Sequence, residues 1–379
     1  MTVNPAAFLL PNRYIQHLFD GMREGCSLRS SAPHWRITIA TITDVAKLAG
    51  VSTGAVSRAL SSDKTLNIRA ETRERILDAA RTLNYSPNHA ARALRISSSG
   101  VIGLAVHDVS NPIYSDIVAG AQAAASEFGY VLTLADADVL ANDEQVFRRL
   151  VSGKAIDGIL LQTVDNSADF IIAKTAESLP VVVVNADSTN PAVGSVAVDD
   201  YQAARLITAH LLELGHTKIA YFTIDQHADR ASLRLRGWMD EMTKAGLAPD
   251  ESLIVDGGHT PEDGARAMQL LLANGPAATA IVAANSLIAL GAMNACQLAN
   301  IQVPQQMSIV GIHDFPLARY LNPGLTVVAL PLRELGERAV RLLLDQLDGQ
   351  PARHEKIAGL LPTVMVRGSS GPPSSHPNS

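Results

Sequence analysis

The rhythm of apolar positions changes near residue 100. Over residues 41–84 they recur three and four apart, which predicts three short helices. The first spans Asp44–Ala49, with Thr43 as N-cap and Gly50 as its stop. The second spans Thr53–Leu60 after Ser52, and the third runs from Ala70 to Leu83. This spacing gathers Val45, Leu48, Val51, Val56, Leu60 and Ile76 into one small core. The loop Ser61–Arg69 is polar. Asn88–Arg95 forms a further helical run, bounded by Pro87 and by Ser97-Ser98-Ser99-Gly100. At about two turns it is marginal alone in water.

From Val101 short β-branched runs alternate with helical stretches. The predicted strands are Val101–Val106, Tyr130–Ala135, Gly158–Gln162, Val181–Asn185, Val196–Val198, Lys218–Thr223, Ser252–Val255, Ala280–Ala283 and Ser308–Ile312. The helices between them are Tyr114–Phe128, Asp143–Ser152, Ala168–Ser178, Tyr201–Leu214, Ala231–Ala245, Pro261–Leu272, Leu287–Leu298 and Leu332–Leu347. Apolar strands alternating with helices predict a parallel sheet covered on both faces. So many strands exceed an ordinary sheet of about 5–6, so two Rossmann-like subdomains are expected. Residues 1–40 show no period and read as a flexible extension. Residues 369–379, rich in Ser, Pro and Gly, read as a disordered tail.

Composition narrows the function classes. With 47% hydrophobic and 18% charged residues in 379, a wholly disordered chain is excluded. No apolar run reaches the ~18 residues of a membrane span. Ala6–Leu10 is too short for the core of a signal peptide, so a cytoplasmic location is expected. The two cysteines, Cys26 and Cys296, have no CxxC spacing, which argues against a disulfide framework or a cysteine zinc site.

Charge divides the chain. Residues 41–99 carry nine Lys and Arg against five acids, a net +4, and residues 1–40 add +2. The total is −6, so the remainder carries −12. A small basic module joined to a large acidic one suits a partner with a phosphate backbone.

Ala46 and Ala49 let two helices approach, and Gly50 permits the tight turn between them. The second helix then exposes Thr53, Gly54, Ser57 and Arg58 opposite Val56 and Leu60. Short residues near a helix N-terminus, with an Arg that can grip guanine, suit the major groove. An ordinary helical hairpin is the plainer alternative. Gly50-Val51-Ser52-Thr53-Gly54 also fits the G-x-S-x-G elbow of hydrolases, but that motif needs a preceding strand and here a helix precedes it. No phosphate-cradling glycine loop and no H-E-x-x-H pair occurs. Neither an enzyme nor a cofactor or metal is therefore expected. His210, His216 and His259 are scattered.

Thr43–Leu60, followed by Glu71–Ile76, Asn84–Asn88 and Ala90–Leu94, closely resembles the DNA-binding region of the lactose-repressor (LacI/GalR) family. Further family-like phrases are Val101–Leu104, Ser110-Asn111-Pro112, Ile156–Ile159, Leu214-Gly215-His216, Arg234–Trp238, Ala283–Asn285, Val310–Ile312 and Val366-Arg367-Gly368. The resemblance covers residues 41–368. It implies an all-α helix-turn-helix DNA-binding head over 41–87, and a hinge helix and linker over 88–99. Residues 100–368 would form an α/β periplasmic-binding-protein-like core of two Rossmann-like subdomains. It also implies a homodimer on a near-palindromic double-stranded operator, a repressor controlled by a small-molecule effector, with no membrane. Thr53, Gly54 and Arg58 match base-reading positions. Thr41, Ile42, Ser52, Ala55, Ser57, Thr72, Tyr85 and Asn88 match positions that approach the DNA. Leu94 matches a leucine wedged into the minor groove. Without a leucine heptad in the tail, a dimer is expected rather than a coiled-coil tetramer.

Family effector positions fall on Asp108, Ile113, Tyr114, Asn185, Arg234, Asn285 and Asp314. Ser286 and His313 stand where the family usually has Asp. Carboxylates accept hydrogen bonds from sugar hydroxyls, so their loss shifts the expected effector from a plain sugar to an anion held by Arg234 and His313. A structural ion pair is the alternative for Arg234. Two other functions compete. A periplasmic-type ligand-binding protein explains residues 101–368 but leaves the head and hinge unexplained. An enzyme on Rossmann-like domains lacks its motifs.

Overall fold

The computed structural model describes residues 40–60, 68–85, 98–109, 111–162, 169–224, 229–275 and 278–374. They fall into two compact units, divided between Pro87 and Asn88. Residues 1–39 of the expected extension over 1–40, most of the polar loop and the hinge run Asn88–Arg95 lie outside the described residues.

The first unit holds three helices, Ile42–Ala49, Thr53–Leu60 and Ala70–Thr82. The first starts earlier than the sequence suggests. Thr41 is its N-cap, in a reciprocal capping box with Asp44, and Thr43 lies inside the helix. Gly50 ends it in the left-handed region at φ 65°. Ser52 Oγ accepts from the Ala55 N–H at 3.2 Å and so caps the second helix. Val45, Ala46, Ala49, Val56, Ala59, Ile76, Ala79 and Ala80 form the core. Leu48 does not join it and is 55% exposed. The buried stripe is centred on Val45, Ala46 and Ala49, and at 3.6 residues per turn Leu48 falls about 100° from its centre.

The second unit has two lobes, each built on a six-stranded sheet. The N-lobe contains β1 (Val101–Val106), β2 (Val131–Asp136), β3 (Gly158–Leu161), β4 (Val181–Val184) and β5 (Val193–Ala197). The C-lobe contains β6 (Ile219–Thr223), β7 (Ile254–Asp256), β8 (Ala280–Ala283), β9 (Ser308–Ile312) and β10 (Thr326–Ala329). Two short strands from the end of the chain complete them. β11 (His354–Lys356) pairs parallel to β5, and β12 (Thr363–Met365) pairs antiparallel to β10. The orders are β11-β5-β4-β3-β1-β2 and β12-β10-β9-β8-β6-β7. Both sheets are doubly wound, so each has a switch point, between β1 and β3 and between β6 and β8. In such sheets ligands bind beyond the carboxyl ends of the strands there.

The chain passes between the lobes three times. β5 belongs to the N-lobe, while the helix Asp200–Glu213 that follows packs on β9, β10 and β12. β10 belongs to the C-lobe, while the helix Leu332–Leu347 packs on β3, β4 and β5. The third passage joins β11 to β12. Within the N-lobe, the helices Ser115–Glu127 and Leu332–Leu347 meet backbone to backbone. A β-carbon on Gly120 would lie 1.9 Å from the Arg333 carbonyl oxygen, and one on Gly336 would lie 2.2 Å from that of Ile117.

Three expectations need correction. Asp143–Ser152 is not one α-helix: Glu144–Phe147 is followed by a wider π turn over Arg148–Ser152. A short helix, Ala137–Asn142, was not foreseen. The start of the tail is not disordered. Ser369 is fully buried, its Oγ accepts from the Thr326 N–H at 2.9 Å, and its carbonyl accepts from the Ile309 N–H at 2.8 Å. Gly371 O lies 2.8 Å from His216 Nε2. The tail is thus held against β9 and β10 through residue 371. Residues 375–379 lie outside the described residues.

Candidate nucleic-acid interface and ligand cleft

In the three-helix unit, the second helix buries Val56 and Ala59 and turns Thr53, Gly54 and Arg58 outward. Ala55 and Ser57 are half-buried on its flanks. Gly54 is not a packing glycine, because a β-carbon there would find only Ser52 Oγ, at 4.0 Å. Its small size leaves open space on the outward face. Exposed Lys47, Arg58, Arg69, Arg75 and Arg81 give the unit its basic surface. Arg73 reaches the Ala59 carbonyl at 3.5 Å and ties the third helix to the end of the second.

The other expected DNA positions are more mixed. Thr41 and Ser52 are exposed, and both hydroxyls already cap helices. Ile42 and Tyr85 are half-buried and pack against the core. Thr72 is half-buried in the third helix. Asn88 and Leu94 lie outside the described residues.

In the two-lobed unit the expected ligand residues gather where the strands end. Asp108 follows β1 and is exposed. Ile113 lies in the one-turn helix Pro112–Tyr114, and its side chain is outside the described residues. Tyr114 packs against the N-lobe core, as does Leu287 of the C-lobe. Burial raises its phenol pKa, and the charges of Arg230, Asp108 and Arg234 all act on it. Asn185 ends β4 at φ 58° and is buried, and its Oδ1 accepts from the Val198 N–H at 3.4 Å. Asn285 caps the helix Ser286–Leu298, with Oδ1 accepting from the Ile288 N–H at 2.8 Å.

Arg234 sits on the helix Asp229–Lys244 and is 1% exposed. Its Nε and Nη2 both reach Asp200 Oδ1, at 2.7 and 2.6 Å. Nη1 donates to the Ala284 carbonyl, and Nη2 lies 2.9 Å from His313 Nε2. A guanidinium only donates, so His313 accepts there and carries its proton on Nδ1. That Nδ1 is buried without a partner. Burial, together with the Arg234 and Arg230 charges, holds the imidazole pKa well below its ordinary value. His313 is therefore neutral.

Of the two residues expected to hold an anion, Arg234 is balanced by Asp200 and His313 is uncharged, so they offer hydrogen-bond donors rather than net charge. Asp314 does not face the cleft group: its Oδ2 takes Arg367 Nη2 at 2.7 Å and its Oδ1 takes the Phe315 N–H at 2.9 Å. Ser286, in an acid's usual place, donates to the carbonyls of Ile312 and His313 and holds the His313 turn, which has φ 79°.

The structure also adds residues the sequence did not single out. His107 follows β1, with Nδ1 2.7 Å from Asp138 Oδ2. Its ring meets that of His259 of the C-lobe edge-on, 6.5 Å between centroids. Gln162 ends β3, and its Oε1 accepts from the His107 N–H at 3.4 Å. Arg230 lies one turn before Arg234, and its charge reaches Tyr114 and His313. All except Asp138 and Arg230 lie at carboxyl ends of strands, the one signal that could have found them.

Comparison with known proteins agrees with both units. Residues 41–88 match the family described as bacterial regulatory proteins, lacI family. Residues 99–366 match periplasmic binding proteins and sugar binding domain of LacI family. The chain is 31% identical over 338 residues to the HTH-type transcriptional repressor PurR of Mannheimia succiniciproducens, covering 87% of this chain and 98% of that protein. It is 33% identical over 314 residues to the HTH-type transcriptional repressor CytR of Escherichia coli, covering 83% and 91%. The lac repressor dimer bound to operator and the anti-inducer ONPF superposes with a TM-score of 0.75 at 25% identity, over 88% of this chain and 99% of that one. The chain belongs to the LacI family of bacterial regulatory proteins.

Proposed function

We propose that the protein represses transcription in the cytoplasm by binding a near-palindromic operator as a homodimer, and that a small molecule in the cleft of the two-lobed unit sets its affinity. The observation that carries this is the outward face Thr53, Gly54 and Arg58 on a basic three-helix unit, in one chain with a two-lobed binding fold. The lac repressor's own structures, with operator and with small ligands, support the same division of labour. The three passages between the lobes link the orientation of one lobe to that of the other. A ligand that binds both lobes favours one lobe angle, and any effect on DNA must act back on ligand affinity.

The cleft is read as a binding site rather than a catalytic one. Its acid Asp200 is locked on Arg234, and His313 is neutral with its acceptor nitrogen occupied. Neither is placed to activate a nucleophile.

A salt titration separates this reading from a ligand-binding protein with no DNA function. Duplex affinity should fall steeply between 50 and 200 mM salt, by about 10³-fold or more if six or more phosphates are contacted. Duplex binding that is absent, or flat with salt, contradicts it.

A further inference from the structure

The buried polar side chains of Asn185 in the N-lobe and of Asn285, His313 and Arg234 in the C-lobe all present donors. Asn285 and Asn185 use Oδ1 on the N–H groups of Ile288 and Val198, which leaves their amide nitrogens. His313 carries its proton on a buried Nδ1 without a protein partner, because its Nε2 accepts from Arg234. Arg234 has five N–H bonds. Those on Nε and Nη2 and one on Nη1 are directed to Asp200, His313 and Ala284, which leaves one on Nη1.

Several neighbouring acceptors are engaged. Asp200 balances Arg234, Asp314 holds Arg367, and the His313 carbonyl takes the Ser286 hydroxyl. The Arg230 charge adds positive potential at Tyr114 and His313. Acidity lies instead on the N-lobe rim, where Asp108 acts on Tyr114.

We propose that the cleft takes a small polyhydroxy anion, with its oxyanion end on the donors of Asn185, Arg234, Asn285 and His313 and its hydroxyls toward Asp108. An oxyanion offers acceptors alone, which is the complement of donors of this kind. A neutral sugar brings a hydroxyl proton with each oxygen, and protons facing buried donors leave polar groups unpaired. This inference rests on reading the cleft as the effector site.

The test is calorimetry on the full-length protein with gluconate and galactonate, with glucose 6-phosphate, and with glucose and galactose. The acids or the phosphate should bind about 30-fold or more tighter than the neutral sugars, a discrimination that polar recognition readily supplies. Which of the two wins identifies a carboxylate or a phosphate as the anion. His313→Asp, checked for folding by circular dichroism, should weaken the anion and strengthen glucose. His313→Asn, which keeps a donor, should retain the preference for anions. Equal or tighter binding of the neutral sugars overturns the proposal. So does the absence of binding by all five probes in a protein that still binds duplex DNA, and that result leaves the regulator reading standing. Anion binding in a protein that binds no DNA supports this proposal and counts against the regulator reading.

Discussion

Arg234 Nη2 donates to His313 Nε2 across 2.9 Å while the same guanidinium is paired with Asp200. One arginine thereby fixes the tautomer of the histidine and is itself balanced by a carboxylate. Both partners of the ion pair are 2% exposed in their side chains. Asp200→Asn should leave a buried, uncompensated cation and cost about 3–5 kcal/mol in urea unfolding. A loss below about 1 kcal/mol would show that the pair is not buried as described.

His313 also predicts a pH dependence of stability. Its folded pKa is lowered, so it stays neutral when folded and takes up a proton when unfolded. Burial lowers His210 and His216 in the same direction. The unfolded state then binds more protons below pH ~6.5, the ordinary histidine value, so stability is full above that pH and falls as pH drops through it. Each histidine contributes a slope of at most about 1.4 kcal/mol per pH unit. His313→Gln should flatten the profile between pH 6.5 and 5. An unchanged slope would mean that His313 is charged when folded.

The contact of Gly120 and Gly336 leaves no room for a side chain. Gly336→Ala should cost about 1–3 kcal/mol or more through overpacking, read as a lower denaturation midpoint. At Gly54, where the surroundings are open, alanine should instead raise helix stability by up to about 1 kcal/mol. The same change should alter which operator is preferred.

How far the sequence led depends on the kind of signal at each place. Thr53–Leu60 and Leu332–Leu347 fall where the apolar period puts them, because each buries one face, and Ala280–Ala283 and Ser308–Ile312 fall where unbroken apolar runs put them, because both of their faces are buried. β11 and β12 left no such trace. They are three-residue edge strands, and His354-Glu355-Lys356 contains no apolar residue. Ala137–Asn142 is too short to show a period and depends on Asp136, whose side chain caps it. In the cleft, residue types were legible but their partners were not. Sequence placed Arg234 and His313 together as holders of an anion. Only the fold shows that Asp200, 34 positions away, absorbs the one charge, and that the bond from Arg234 keeps the other residue neutral.

Arg58 should carry base recognition. Arg58→Ala is expected to cost about 1–3 kcal/mol of operator binding and to relax preference at one base pair of each half-site. Lys47→Ala should weaken all duplexes alike and make the salt dependence shallower. A uniform loss with Arg58→Ala would place that residue on the phosphates.

The central claim is that one chain reads DNA and a small ligand together. Its most direct test is selection of duplexes from a random pool by the full-length protein at moderate salt, with and without gluconate. The account predicts enrichment of one near-palindromic sequence whose recovery changes when the ligand is present. Failure to enrich any sequence in either condition would contradict it.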